Sequence, residues 1–225
     1  MNNRSKPILL ILLLTSFSSS QAGIVTVNGN SVSFSYDNTL LDLFGSPTIA
    51  GDQLFFTPTN FDANASGLTA FDLKYSTINI KVTALNGGEI NTVNVNEKGT
   101  YISKGSSSYV DAGGQIIVTD SNSPLTEVTD NLTLSTPFAH QASFFPTQNW
   151  QASAASNVSI FGTSSVNVNI GNFLIAMTNA FGELGFIQKS AVVLRITSVP
   201  LPTSVWLFGA ALLVFLAYSK RIHYI

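Results

Sequence analysis

Cysteine is absent from the 225 residues. Disulfides and thiolate metal sites are therefore excluded, and stability falls to packing and sheet hydrogen bonds. Charge is scarce too. Charged residues form 10% of the chain against 45% hydrophobic, a balance too apolar for an intrinsically disordered protein. Between residues 23 and 198 twelve carboxylates face six cations, a net of −6 (6 − 12). No basic patch is left to neutralise phosphates, which argues against nucleic-acid binding.

Motifs that carry chemistry are equally sparse. His140 is the only histidine of the middle region, so imidazole catalysis would rest on it alone. No G-x-S-x-G, H-E-x-x-H or Gly-rich phosphate loop occurs, and one histidine without cysteine cannot build a typical zinc or copper site. No catalytic set, cofactor or resident metal is expected. Paired carboxylates for glycoside hydrolysis need no local motif, but the acidic residues mostly neighbour Asn or Gly as solvated loop residues do. Asp62-Ala63-Asn64-Ala65-Ser66-Gly67 matches the first half of a calcium loop, yet Leu73 stands where the bidentate Glu belongs. A plain Asx-rich turn is the simpler reading there. Asn-x-Ser/Thr triplets at Asn64, Asn131 and Asn157 are chance patterns in a chain this rich in those residues.

What is present begins with strand periodicity. Ile24–Asn28 and Val32–Tyr36 alternate apolar and polar residues around a turn-forming Asn28-Gly29-Asn30. The same alternation marks Ile78–Val82, Val93–Val95, Ile116–Val118, Val166–Ile170 and Ala191–Thr197. Asn86-Gly87-Gly88, Glu97-Lys98-Gly99 and Ala112-Gly113-Gly114 read as the turns between such runs, and Asn172–Phe181 as a short helix. The expected fold is an all-β antiparallel sandwich, jelly-roll-like, over residues 23–198. Sixteen phenylalanines are many for this length. Phe55, Phe56, Phe61, Phe71, Phe144, Phe145 and Phe161 are expected to fill the space between sheets. Trp150, the one tryptophan of this region, has two readings: core, or a surface contact for sugars.

The ends read differently. Arg4 and Lys6 precede seven unbroken Leu and Ile residues at 8–14, and Ser20-Gln21-Ala22 places small residues before Gly23. Residues 1–22 thus form a signal peptide, a helical export signal cleaved between Ala22 and Gly23. At the other end Val199-Pro200-Leu201-Pro202 stops a strand and fixes an extended backbone. A transmembrane helix is expected over 203–218. Its charge-free stretch, 205–218, spans roughly 21 Å at ~1.5 Å per residue, short of the ~30 Å hydrocarbon layer. Trp206 and Tyr218 suit the two interfaces, and Lys220 and Arg221 place the tail in the cytoplasm.

Val199-Pro200-Leu201-Pro202, the Trp206-Leu207-Phe208-Gly209 run and the basic stop Lys220-Arg221 together resemble a PEP-CTERM sorting signal of the VPLPA subtype. Leu201 stands where the commonest form has Glu, and the tail runs on to Ile225. The resemblance covers about residues 199–221 and speaks to sorting alone. It implies a Gram-negative exported protein, anchored in the inner membrane until a membrane-embedded exosortase-like protease cuts near the proline motif. It further implies a cell-surface or matrix destination alongside exopolysaccharide and biofilm, with extracellular polysaccharide as a partner. A structural or adhesive role is the leading expectation; a carbohydrate-binding or glycan-hydrolysing module sorted by the same route is the alternative.

Overall fold

Alternation of inward and outward side chains organises thirteen β-strands into two antiparallel sheets in the computed structural model, which describes residues 23–200 together with Phe208 and Ala211. The first sheet joins β1 (Ile24–Asn28), β2 (Val32–Asp37), β6 (Ala70–Ala84), β12 (Ser165–Thr178), β8 (Tyr109–Asp120) and β9 (Glu127–Asn131), in that spatial order. The second joins β10 (Thr133–Leu134), β11 (Gln148–Asn157), β7 (Glu89–Lys104), β13 (Leu184–Val199), β4 (Gln53–Phe56) and β3 (Thr48–Ala50). A further strand, β5 (Asp62–Ser66), pairs with the start of β13 on the edge that β4 takes farther along. Seven links change sheet: β2 to β3, β5 to β6, β6 to β7, β7 to β8, β9 to β10, β11 to β12 and β12 to β13. Residues 86–88 lie in the link from β6 to β7, as their turn chemistry predicts.

The inward stripes explain why the sheets stack. Ile78, Ile80 and Val82 of β6, Val166, Val168 and Ile170 of β12, and Ile116 and Val118 of β8 meet Val93 and Val95 of β7 and Val192, Leu194 and Ile196 of β13. Each such side chain contributes about 1.5–3 kcal/mol when fully buried. A second apolar cluster lies at the other end of the sandwich, around Phe61, Tyr101, Trp150, Leu174 and Ile187. Trp150 is 2% exposed, so its core reading holds and its sugar-contact reading fails.

Four expectations need correction. Asn172–Phe181 is not a helix: its first seven residues continue β12, paired on both sides with β6 and β8. Glu97-Lys98-Gly99 and Ala112-Gly113-Gly114 are not turns but strand interiors. Their glycines serve close approach rather than reversal. A Cβ on Gly99 would lie 1.8 Å from the Gln188 carbonyl oxygen and 2.6 Å from Trp150 Nε1. Nor do all the expected phenylalanines fill the core. Phe56 and Phe61 are buried and Phe55 and Phe161 half-buried, but Phe71, Phe144 and Phe145 are exposed, while Phe34 and Phe44 take interior places. Finally, Asp62–Ser66 is neither a calcium loop nor a turn. Along a strand, same-face side chains stand ~7 Å apart and cannot wrap one ion.

Among the described residues no helix is long and apolar enough to cross a membrane. The expected signal helix and the expected transmembrane helix over 203–218 fall outside the described residues, apart from Phe208 and Ala211.

Candidate functional site

Where the two apolar clusters meet, the inward stripe turns polar on three adjacent strands. On β7 the inward series runs Val93, Val95, Glu97, Gly99, Tyr101; on β12 it runs Val168, Ile170, Asn172, Leu174. On β13 it runs Gly185, Ile187, Lys189 and then shifts by one residue through a bulge at Ser190, so that Val192 also faces inward. Glu97, Asn172 and Lys189 therefore converge at one level of the core, one from the first sheet and two from the second.

All three are buried, with Asn172 and Lys189 at 0% exposure. Lys189 Nζ donates to Glu97 Oε2, and Asn172 Nδ2 donates to Glu97 Oε1. One carboxylate thus holds the amine and the carboxamide together. Phe61 and Trp150 wall the amine, their ring centres 5.0 and 5.7 Å from Nζ. Burial pushes the Lys189 ammonium below the ordinary lysine range, and the Glu97 charge and hydrogen bond oppose that shift without cancelling it. Asn172 Oδ1 is buried without a hydrogen-bond partner among the described residues. Gly114 opens room for it, since a Cβ there would lie 2.3 Å from Oδ1.

Tight packing also fixes the backbone around the cluster. Lys189 N donates to the Phe61 carbonyl at 2.9 Å, and Trp150 Nε1 donates to the Gln188 carbonyl at 3.1 Å. Such an arrangement can desolvate an amine, present it to a carbonyl carbon and keep a proton acceptor beside both.

A second feature is an apolar outer face. At one end of the first sheet Phe71, Met177 and Tyr109 stand in register, as do Tyr75, Phe173 and Gly113. Phe71 is 61% and Tyr75 62% exposed. The outer positions at the other end are polar, with Asn79, Lys81, Asn167 and Asn169. The signal for this face lay in Phe71-Asp72-Leu73-Lys74-Tyr75, an alternating run whose apolar residues point away from the core.

His140 lines a cleft of about 260 Å³ with Ser103, Ser108, Tyr109, Asp111 and Phe138. Its Nδ1 lies 3.4 Å from Ser103 Oγ, which is shared with Ser108 Oγ at 2.9 Å. Asp111, the carboxylate of the cleft, accepts from Tyr109 Oη and Ala112 N rather than from the imidazole. Other carboxylates fasten loops. Asp52 accepts from Ser31 Oγ at 2.6 Å and from Ser31 N at 2.8 Å; Glu183 accepts from Ser107 N and Oγ and from Ala180 N.

Of the residues marked for sorting, Val199 is the last of β13 and Pro200 follows it, outside any strand. Gly23 precedes β1 and its carbonyl accepts from Asn38 N at 3.0 Å. Ala22, Leu201, Pro202, Trp206, Gly209, Lys220 and Arg221 lie outside the described residues. The residues expected to direct sorting and the Glu97–Asn172–Lys189 cluster are thus separate parts of the chain. No protein-family model and no curated protein matches the sequence.

Proposed function

We propose that the chain is an exported bacterial surface protein whose sandwich is displayed outside and whose C-terminal segment is read by an exosortase-like membrane protease. The observation that carries this reading is the order Val199-Pro200-Leu201-Pro202, apolar run, Lys220-Arg221. Its support from the fold is the position of that motif: β13 runs to Val199, which is 51% exposed, and Pro200 follows at once. A protease cutting near the prolines would then meet extended backbone just outside the sheet. Before cutting, the C-terminal helix holds the protein in the inner membrane; afterwards the domain passes to the cell surface or matrix. The seven sheet-changing links fit a jelly-roll-like topology. A structural or adhesive, non-enzymatic role agrees with carboxylates such as Asp52 and Glu183 being engaged in fastening loops.

The test is the C-terminus of the mature protein, read by mass spectrometry. Termination near Pro202 is expected; mature protein ending only at Ile225 would refute processing. A reporter fused after Ile225 should be active in the cytoplasm, and periplasmic activity would overturn the topology.

A carbohydrate-binding reading is favoured by one observation, the exposed aromatic face carrying Phe71, Tyr75 and Tyr109. Flat rings with a polar edge suit stacking on sugars. The residues to test are these and not the buried Trp150.

A further inference from the structure

We infer that Lys189 and Asn172 are joined by an intramolecular isopeptide bond, formed autocatalytically with Glu97 as the proton-transfer group. The inference stands on the core geometry and does not depend on the sorting reading.

The chemistry needs an amine nucleophile, an amide electrophile and a group that moves protons between them, all shielded from water. Glu97 binds both reactants, one through each carboxylate oxygen. Holding them on one rigid group gives the aminolysis the advantage of an oriented, intramolecular reaction. Phe61 and Trp150 exclude water from the amine. The lowered pKa of Lys189 favours the neutral amine that attacks.

Glu97 takes a proton from the Lys189 ammonium, and the Nζ lone pair attacks Asn172 Cγ, sending the carbonyl π electrons to Oδ1. Glu97 delivers its proton to Nδ2 and receives another from Nζ. The Cγ–Nδ2 bond then breaks as the carbonyl re-forms, and ammonia leaves. The product is a secondary amide, with one proton remaining on Glu97. No oxidant, metal or cofactor enters.

Two observations fit the product better than a permanent ion pair. A buried Lys–Glu pair suffers a desolvation penalty that replacement by neutral groups removes. Asn172 Oδ1 is a buried acceptor without a donor among the described residues, a rare condition in a folded core. The proton left on Glu97 supplies a donor beside it.

The bond would connect β12 of the first sheet to β13 of the second, both central strands. β13 is also the strand that ends at Val199, so a pull applied at the C-terminal end enters the sandwich through a strand covalently tied to the opposite sheet.

The test is peptide mapping of the purified full-length chain after denaturation. Trypsin is expected to leave Lys189 uncut, giving a peptide 105–195 lighter than its sequence mass by one ammonia. Cutting that peptide after Glu127 and Glu183 with a glutamate-specific protease should release 105–127 and leave 128–183 and 184–195 still joined. Tryptic peptides 105–189 and 190–195 at their sequence masses would overturn the inference, whatever any variant does. Glu97→Gln is expected to reduce the linked fraction from nearly complete to undetectable with the circular dichroism of the sandwich retained. A fully linked Glu97→Gln protein would overturn the role given to Glu97.

Discussion

Gly99 of β7 and Trp150 of β11 face one another in register, and the indole lies where a Gly99 side chain would be. The contact lets Trp150 Nε1 reach the Gln188 carbonyl, one residue before Lys189. Gly99→Ala should therefore be costly, because backbone oxygen and a packed ring must both shift. A loss of about 1–3 kcal/mol or more is expected in urea unfolding. Gly171→Ala is the comparison: its nearest neighbours would lie 3.4 and 3.6 Å away, an ordinary contact, and a much smaller loss should follow.

The cross-link predicts an order of stabilities. It would close a loop between positions 172 and 189, 17 apart (189 − 172), and such a loop is worth ~3 kcal/mol, or roughly 6–12 °C in Tm for a domain of this size. Asn172→Ala removes the electrophile but keeps the Lys189–Glu97 pair, so its Tm should fall by that amount. Glu97→Gln additionally leaves the Lys189 ammonium without its partner in the core, a further ~3–5 kcal/mol. Calorimetry should rank wild type above Asn172→Ala and Asn172→Ala above Glu97→Gln.

Much of the sandwich was legible in period-two alternation, and the reason for the gaps is specific. The strand patterns at Val93–Val95 and Val166–Ile170 stop just short of Glu97 and Asn172, and the one at Ala191–Thr197 starts just after Lys189. An inward polar residue breaks the alternation, so three long strands of 14 to 16 residues read as short ones. Glycines at 99, 113 and 114 deepened the error, because glycine placed for close approach looks in sequence like glycine placed for a turn. The cluster itself was invisible for the same reason: each member sits at the end of a recognisable pattern, and only sheet pairing brings the three ends together.

Acid should loosen the β2 end of the sandwich through Asp52. Burial raises its pKa, but hydrogen bonds from the Ser31 hydroxyl and from the backbone N–H groups of Ser31, Val32 and Asn30 outweigh it, and the net direction is down. A carboxylate with a depressed folded pKa contributes stability above its unfolded value, about 3.9, and loses it as pH falls through the folded value. The urea midpoint should thus drop on acidification below about pH 4. In Asp52→Asn that part of the drop should be absent, with the midpoint already lower at neutral pH. A wild-type acid limb unchanged by Asp52→Asn would show that this contact carries no linkage.

The two aromatic settings make opposite predictions for ligand binding and stability. Trp150 is enclosed by both sheets, so Trp150→Ala should cost about 3–5 kcal/mol and weaken polysaccharide retention only through unfolding. Tyr75 stands 62% exposed beside Phe173 on the outer face, where substitution should change stability by no more than ~0.5 kcal/mol. If that face stacks sugars, Tyr75→Ala should lose retention on a glycan array at unchanged Tm, because one stacked ring supplies a large part of a shallow site's contact. Undiminished retention by a folded Tyr75→Ala/Phe71→Ala protein would exclude this face as the sugar site, and no retention by the wild type would remove the binding-module reading.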